Sequence, residues 1–202
     1  MILTIPLAHD FSCPWCWIAL HQIERLKKEY PIQIEWRSYE LWPKDLERPP
    51  SVPRAVNPLM AKVPSRLDLM LALERLELPA VERPQRMSTH NAHLAAQFAQ
   101  ANGYGEPYIL ALYHAHWNEG QSLEEVEYLV TLAEPFHLDA DRMRRSILTE
   151  EFADRIVPFD APAYKSGVFY VPTFIIDDKT YAEQPYHVLE AAMAEAVSKA
   201  RA

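Results

Sequence analysis

The stretch Asp10-Phe11-Ser12-Cys13-Pro14-Trp15-Cys16-Trp17 decides the fold, because it places two cysteines where a predicted strand meets a predicted helix. Residues 2–8 form a short apolar run that is typical of a buried strand. Ser12 is the predicted N-cap of the next helix, and Pro14 suits its first turn, where a missing N–H is harmless. The cysteine pair is therefore expected at the start of a helix that directly follows the first strand.

The rest of the chain predicts two β-containing ends around a helical middle. Helical spacing continues to about residue 30, and alternation of apolar and polar residues predicts a strand over 32–37. The proline-rich segment 43–64 predicts a long surface loop. Strands return at Val171–Ile176 and from Thr180, before a final helix from Tyr186 to Ala200. In the middle, periodicity and the capping box at Ser122 predict only helices, near 67–77, 88–102, 107–119, 122–135 and 139–148.

Composition narrows the class of protein. The chain has 202 residues, of which 49% are hydrophobic and 24% charged, as in soluble globular proteins. The net charge of −8, without a basic block, argues against nucleic acid as a partner. No apolar run approaches the roughly 20 residues that a membrane helix needs. The first residues resemble a strand more than a signal peptide, so we expect a cytoplasmic protein with no membrane partner; its oligomeric state stays open.

The two cysteines are the only ones in the chain, and they point to redox chemistry. Only a thiolate attacks a disulfide, and a helix N-terminus stabilises negative charge. We therefore expect Cys13 to be exposed and to attack first. Cys16, one turn further on, is expected to be buried and to resolve the mixed disulfide. Pro14 and Trp15 would tune the pair, and a partly exposed Trp15 would contact the substrate.

Other chemistry has weaker support in the sequence. Zinc needs about four ligands, and no second cysteine pair exists. His90 and His93 share a helix face, but no carboxylate completes an evident metal triad, so we predict no metal and no resident cofactor. His9, if protonated, would stabilise the Cys13 thiolate; otherwise it is a polar histidine at a strand end. Asp10 fits a turn or cap better than a proton relay.

The motif around the cysteines resembles the start of the DsbA family of thioredoxin-fold proteins, most closely its FrnE-like branch. The resemblance covers nearly the whole chain, in order. Its further motifs are Glu40-Leu41-Trp42-Pro43, Thr89 with Ala92-His93, Gly167-Val168-Phe169-Tyr170-Val171-Pro172-Thr173-Phe174 and Gln184-Pro185.

This resemblance implies an α/β thioredoxin-like fold, β-α-β followed by β-β-α, with a large all-helical insertion. The cysteine-bearing domain would comprise residues 1–45 and 155–202, and the loop and insertion residues 46–154. It also implies a cis Val171–Pro172 bond facing the cysteines, with the Val171 backbone pairing with substrate and Thr173 in the same loop. Departures from the family pattern are Tyr170 for glycine, Ser88 for asparagine, Leu94 for arginine, Glu183 for a small residue, and Pro158 and Pro162 in a segment that is normally helical.

The leading functional prediction is a thiol–disulfide oxidoreductase that acts on protein or small thiol substrates. One alternative is a glutathione-dependent enzyme like the kappa-class transferases and hydroxychromene-carboxylate isomerases, which use a serine near the position of Cys13. Glutathione is then a possible co-substrate, although the second cysteine argues against this alternative. The remaining alternative is a non-catalytic module whose insertion binds a partner.

Overall fold

The computed structural model describes residues 2–43, 63–84, 87–159 and 161–201. Within these residues the predicted order of elements is found, with the helical segment between two β-containing ends. The strands are β1 (Leu3–His9), β2 (Ile32–Glu40), β3 (Val157–Pro158), β4 (Thr173–Ile176) and β5 (Lys179–Ala182). The helices are α1 (Pro14–Glu29), α2 (Arg66–Glu74), α3 (His90–Ala101), α4 (Gly105–Glu119), α5 (Val126–Leu132), α6 (Ala140–Leu148), α7 (Ala161–Lys165) and α8 (Tyr186–Arg201).

The strands form one mixed sheet in the order β3-β2-β1-β4-β5. β1 runs parallel to β2, and the helix α1 makes the crossover that a parallel pair requires. β4 runs antiparallel to β1 and pairs with β5 as a hairpin. The central β1 therefore delivers the cysteine motif to the edge of the sheet at which the loop before β4 also ends.

The helical segment packs directly on the sheet. α3 and α4 contact each other and β2, and α8 contacts β4. One continuous cluster of buried apolar side chains includes Leu7 and Ile18 from the cysteine-bearing part and Leu94 and Leu112 from the insertion. Among the described helices, none is both long and apolar enough to cross a membrane.

Some local predictions are wrong. The N-cap of α1 is Cys13 and not Ser12, because the Ser12 hydroxyl is hydrogen-bonded to Asp10. Ser122 does not cap a helix: α5 begins later, at Val126, and the Ser122 hydroxyl accepts from the Glu124 N–H in a turn. The sequence also missed β3, which pairs with β2 in parallel. Most of the predicted loop over 43–64 lies outside the described residues.

Candidate active site

Cys13 and Cys16 lie where β1 passes into α1. Pro14 begins α1 as predicted, and the carbonyl of Cys13 accepts from the N–H groups of Cys16 and Trp17, at 3.0 and 3.1 Å. Both thiols are free. The expectation that Cys13 is exposed is wrong, since only 5% of its surface is accessible, while Cys16 is 1% exposed as expected.

The Cys13 thiol faces the loop that precedes β4. It donates to the carbonyl oxygen of Val171, with 3.2 Å between Sγ and oxygen. The Val171–Pro172 peptide bond is cis, and the Pro172 carbonyl accepts from the Glu183 N–H at 3.0 Å. Thr173 is buried, and its hydroxyl donates to the Tyr170 carbonyl at 2.5 Å. The structure thus brings together sequence positions separated by 158 residues.

Trp15 is half-buried next to the cysteines. The guanidinium of Arg66, from the first turn of α2, lies 4.8 Å from the centre of its ring. Arg66 also forms an ion pair with Glu183, which follows β5 and has a left-handed backbone at φ +48°. The exposed guanidinium of Arg66 therefore lies over the ring of Trp15, and its ion-pair partner Glu183 is one of the departures from the family pattern.

Asp10 is a fully buried carboxylate between the cysteine motif and the insertion. One oxygen accepts from the N–H and hydroxyl of Ser12, at 2.7 and 2.5 Å. The other accepts from the Leu41 N–H at 3.0 Å and the Thr89 hydroxyl at 2.7 Å. Burial alone would raise the pKa of Asp10, but the nearby His93 and the hydrogen bonds from Ser12 and Thr89 lower that pKa to about 2.

His9 lies on the other side of Asp10, inside an aromatic cluster. Its Nδ1 lies 3.0 Å from the Tyr113 hydroxyl, and its ring is edge-on to Phe11 and Trp36. Burial and the neighbouring His93 lower the pKa of His9 well below its usual value, and Asp10 only partly opposes this. His9 is therefore neutral near pH 7, which favours the alternative of a polar histidine at the strand end over a protonated His9 that stabilises the Cys13 thiolate.

The thiol of Cys16 is strongly desolvated. Burial raises the pKa of Cys16, and its hydrogen bond with Cys13 and the charge of Cys13 raise it further. The Asp10 N–H points at Cys16 Sγ from 3.5 Å, which lowers this pKa in part. Cys16 is thus a protonated thiol near neutral pH.

The insertion supplies residues that sequence reasoning did not place at the site. Thr89, from the turn before α3, hydrogen-bonds Asp10; Tyr113 and Trp117, both on α4, donate to the carbonyls of Asp10 and Phe11 at 3.1 and 2.9 Å. Only Thr89 carried a signal, as part of a weak family motif. Among the described residues, no group of three or more histidine, cysteine or carboxylate side chains is arranged to hold a metal ion.

Comparison with known protein families assigns the chain to one of them. The family model described as a DSBA-like thioredoxin domain matches residues 4–194. The chain belongs to this family, and the predicted α/β thioredoxin-like fold is confirmed.

Individual proteins that are similar to this chain are named for different activities. A 2-hydroxychromene-2-carboxylate isomerase from Sphingobium xenophagum is 25% identical over 186 residues, 90% of this chain and 92% of its own. A probable DsbA oxidoreductase from Streptomyces coelicolor superposes with a TM-score of 0.70 at 24% identity, over 97% of this chain and 90% of that one. The cytosolic disulfide reductase DsbM from Pseudomonas aeruginosa, solved with GSH, gives 0.63 at 17% identity, over 99% and 100%.

Proposed function

We propose that this protein is a dithiol–disulfide oxidoreductase in which Cys13 is the nucleophile and Cys16 the resolving cysteine. The observation that carries the proposal is the position of the Cys13 thiol, at the N-cap of α1 and 3.2 Å from the Val171 carbonyl. A helix N-terminus favours a negative sulfur. The burial of Cys16, one turn further along α1, supports its role as the group that attacks Cys13 from within the protein.

The proposed thiol–disulfide exchange needs no resident cofactor, because the electrons pass between the cysteine pair and the substrate disulfide. The Cys13 thiolate attacks one sulfur of a substrate disulfide and releases the other as a thiolate. Cys16 then attacks Cys13, which forms the Cys13–Cys16 disulfide and releases the substrate as a dithiol. Run backwards, the same steps oxidise a substrate, so the direction depends on the redox partner.

The surface beside Val171 supports a polypeptide substrate over a small thiol. Tyr164, Phe169 and Tyr170 are 51, 56 and 57% exposed, and the rings of Tyr164 and Phe169 stack with centroids 5.8 Å apart. An extended peptide that pairs with the Val171 backbone would run past these rings. A cytoplasmic location is part of the proposal, supported by a structural relative described as cytosolic.

Glutathione redox buffers test the proposal. The protein is equilibrated at a series of ratios of reduced to oxidised glutathione, and its thiols are counted after alkylation. We expect a reversible Cys13–Cys16 disulfide, a trapped glutathione adduct at Cys13 in Cys16→Ser, and no reaction in Cys13→Ser. An absence of any reversible disulfide in the wild-type protein contradicts the proposal.

A glutathione-dependent isomerase or transferase is the second candidate, favoured by the match to the Sphingobium isomerase over 92% of that protein. Its activity would need glutathione bound at Cys13 but not the second cysteine. Turnover of an isomerisable substrate that survives Cys16→Ser would support it over the dithiol mechanism. Biological function that survives replacement of both cysteines by serine would instead indicate a binding module.

A further inference from the structure

A tyrosine from the insertion lies beneath the cysteine pair. Tyr113, on α4, is 1% exposed, and its hydroxyl donates to the Asp10 carbonyl at 3.1 Å. The backbone N–H of the same Asp10 points at Cys16 Sγ from 3.5 Å. Tyr113 and the Cys16 sulfur, which must act second, are thus both hydrogen-bonded to the backbone of one residue, Asp10. The proposed exchange gives this buried hydroxyl no role so far.

The contacts of Tyr113 fix where its proton lies. A carbonyl oxygen only accepts, so the one hydroxyl proton of Tyr113 is directed at Asp10 in the resting state. His9 Nδ1, 3.0 Å from the same hydroxyl, must then carry a proton and donate it to the tyrosine oxygen. Because burial keeps His9 neutral, its Nε2 is left as a bare acceptor, and it has no partner among the described residues.

Tyr113 keeps its proton and remains a donor. Burial raises its pKa well above the usual value, and the charges of Cys16, Asp10 and Cys13 and the nearness of the Cys16 sulfur to its hydroxyl raise it further. The groups that face Cys16 are Cys13 at the helix start, Asp10 at the end of β1 and Tyr113 on α4. The next titratable groups are His93, whose Nε2 lies 3.5 Å from the Asp10 carboxylate, and His9, whose ring centroid lies 5.5 Å from that of His93.

A thiolate at Cys16 would need more than the present donor. An ionised sulfur without hydrogen bonds is costly in a buried site. Among the described residues, the resting structure directs one donor at this sulfur, the Asp10 N–H at 3.5 Å. A phenol O–H turns about its C–O bond, so the Tyr113 proton can leave the Asp10 carbonyl for the sulfur while His9 continues to hold the oxygen.

We propose that Tyr113 donates a hydrogen bond to the Cys16 thiolate during resolution of the mixed disulfide, and that His9 is the residue that positions it. This inference rests on the proposed dithiol function. Cys16 loses its proton and its sulfur bonds to Cys13 Sγ, while the bond between Cys13 and the substrate sulfur breaks. The Cys16 proton passes to solvent, the substrate sulfur departs as a thiolate that solvent protonates according to its own acidity, and Tyr113 returns to the Asp10 carbonyl.

A single-turnover experiment separates this step from the first attack. The reduced protein reacts with an aromatic disulfide that releases a coloured nitrothiobenzoate: one equivalent reports attack by Cys13, and the second reports resolution by Cys16. Tyr113→Phe is expected to leave the first phase unchanged. It should slow the second about tenfold or more at neutral pH, as the loss of a hydrogen bond to a charged group implies. The midpoint of the second phase should also move to higher pH.

Matched variants complete the test. Tyr108→Phe removes another buried hydroxyl of α4, which donates to the Leu129 carbonyl, and should leave both phases unchanged. A fluorotyrosine at position 113 keeps the hydroxyl and the packing but is a stronger donor, so the midpoint should move to lower pH. A folded Tyr113→Phe with wild-type resolution, or no shift with fluorotyrosine, overturns the role of Tyr113 alone. A wild-type protein that never releases the second equivalent overturns the dithiol function and this inference with it.

Discussion

Asp10 is the residue on which the geometry of the cysteine motif depends. Its carboxylate receives hydrogen bonds from Ser12, Leu41 and Thr89, and its backbone carbonyl receives one from Tyr113. A buried charge is tolerated only when it is fully hydrogen-bonded, so the donors from Ser12, Leu41 and Thr89 must stay in place for the carboxylate to remain ionised. The carboxylate therefore holds the cysteine turn, the end of β2 and the insertion in one arrangement.

The lowered pKa of Asp10 predicts that the folded protein loses stability in acid. The pKa of Asp10 is about 2 in the folded protein, against 3.8 for an unperturbed aspartate. A lowered pKa stabilises the folded state above pH 4, and this contribution of about 2 kcal/mol is lost as the pH falls towards 2. Asp10→Asn should lack this part of the acid sensitivity, measured as the free energy of unfolding in urea at about pH 5 and pH 3.

The matched control for this experiment is Asp154→Asn, which changes an exposed carboxylate. It should keep the acid sensitivity of the wild-type protein. The assignment to Asp10 is wrong if Asp10→Asn and the wild-type protein lose the same free energy between the two pH values. At neutral pH, Asp10→Asn should itself be destabilised, because an amide nitrogen would face donors where the carboxylate accepted.

The helix α2 has little apolar packing for its length of nine residues. It has no buried residue, and Leu69 and Leu73 are 59 and 57% exposed. Its last residue, Glu74, accepts from Gln22 at 3.1 Å, from Arg25 at 2.9 Å and from the Tyr186 N–H at 2.6 Å. Polar contacts at Glu74 thus tie α2 to α1 and to the start of α8.

We expect Glu74→Ala to release α2 while the sheet stays folded. Hydrogen bonds to a charged group contribute about 1.5–3 kcal/mol, so amide exchange in α2 should become at least tenfold faster. Hydrogen exchange measured by mass spectrometry would report this change peptide by peptide. Glu77→Ala, at an exposed position just beyond the helix, is the control and should leave exchange unchanged. Unchanged protection of α2 in Glu74→Ala would show that other contacts hold the helix.

The sequence predicted those elements whose signal is local. β1, α1 and the hairpin β4–β5 follow from apolar runs, helical spacing and turn residues, and the structure contains all of them. β3 could not be predicted, because two residues have no period and this strand exists only through its pairing with Tyr39 and Glu40. The box at Ser122 has the right residues for a cap, but Ser122 and Glu124 bond each other within a turn ahead of α5.

Across the whole molecule, the cysteine-bearing part and the insertion share one core and one site. Trp117 donates to the Phe11 carbonyl and Tyr113 to that of Asp10, across 106 and 103 positions. Such contacts leave no periodic trace in the sequence, so the cysteine pair could be predicted but not the residues of the insertion that surround it. The two parts should therefore depend on each other for stability.

We accordingly expect both parts to unfold together. In urea, the loss of helix measured by circular dichroism and the exposure of Cys16 to alkylation should share one midpoint. Trp117→Phe removes the indole N–H that binds the Phe11 carbonyl at 2.9 Å. It should lower the free energy of unfolding by about 1 kcal/mol or more and therefore lower both urea midpoints equally. Trp42→Phe, at a position that is 38% exposed, should move neither. If helix is lost at a lower urea concentration than the protection of Cys16, the insertion unfolds separately, and its contacts with Phe11 and Asp10 do not stabilise the region around the cysteine pair.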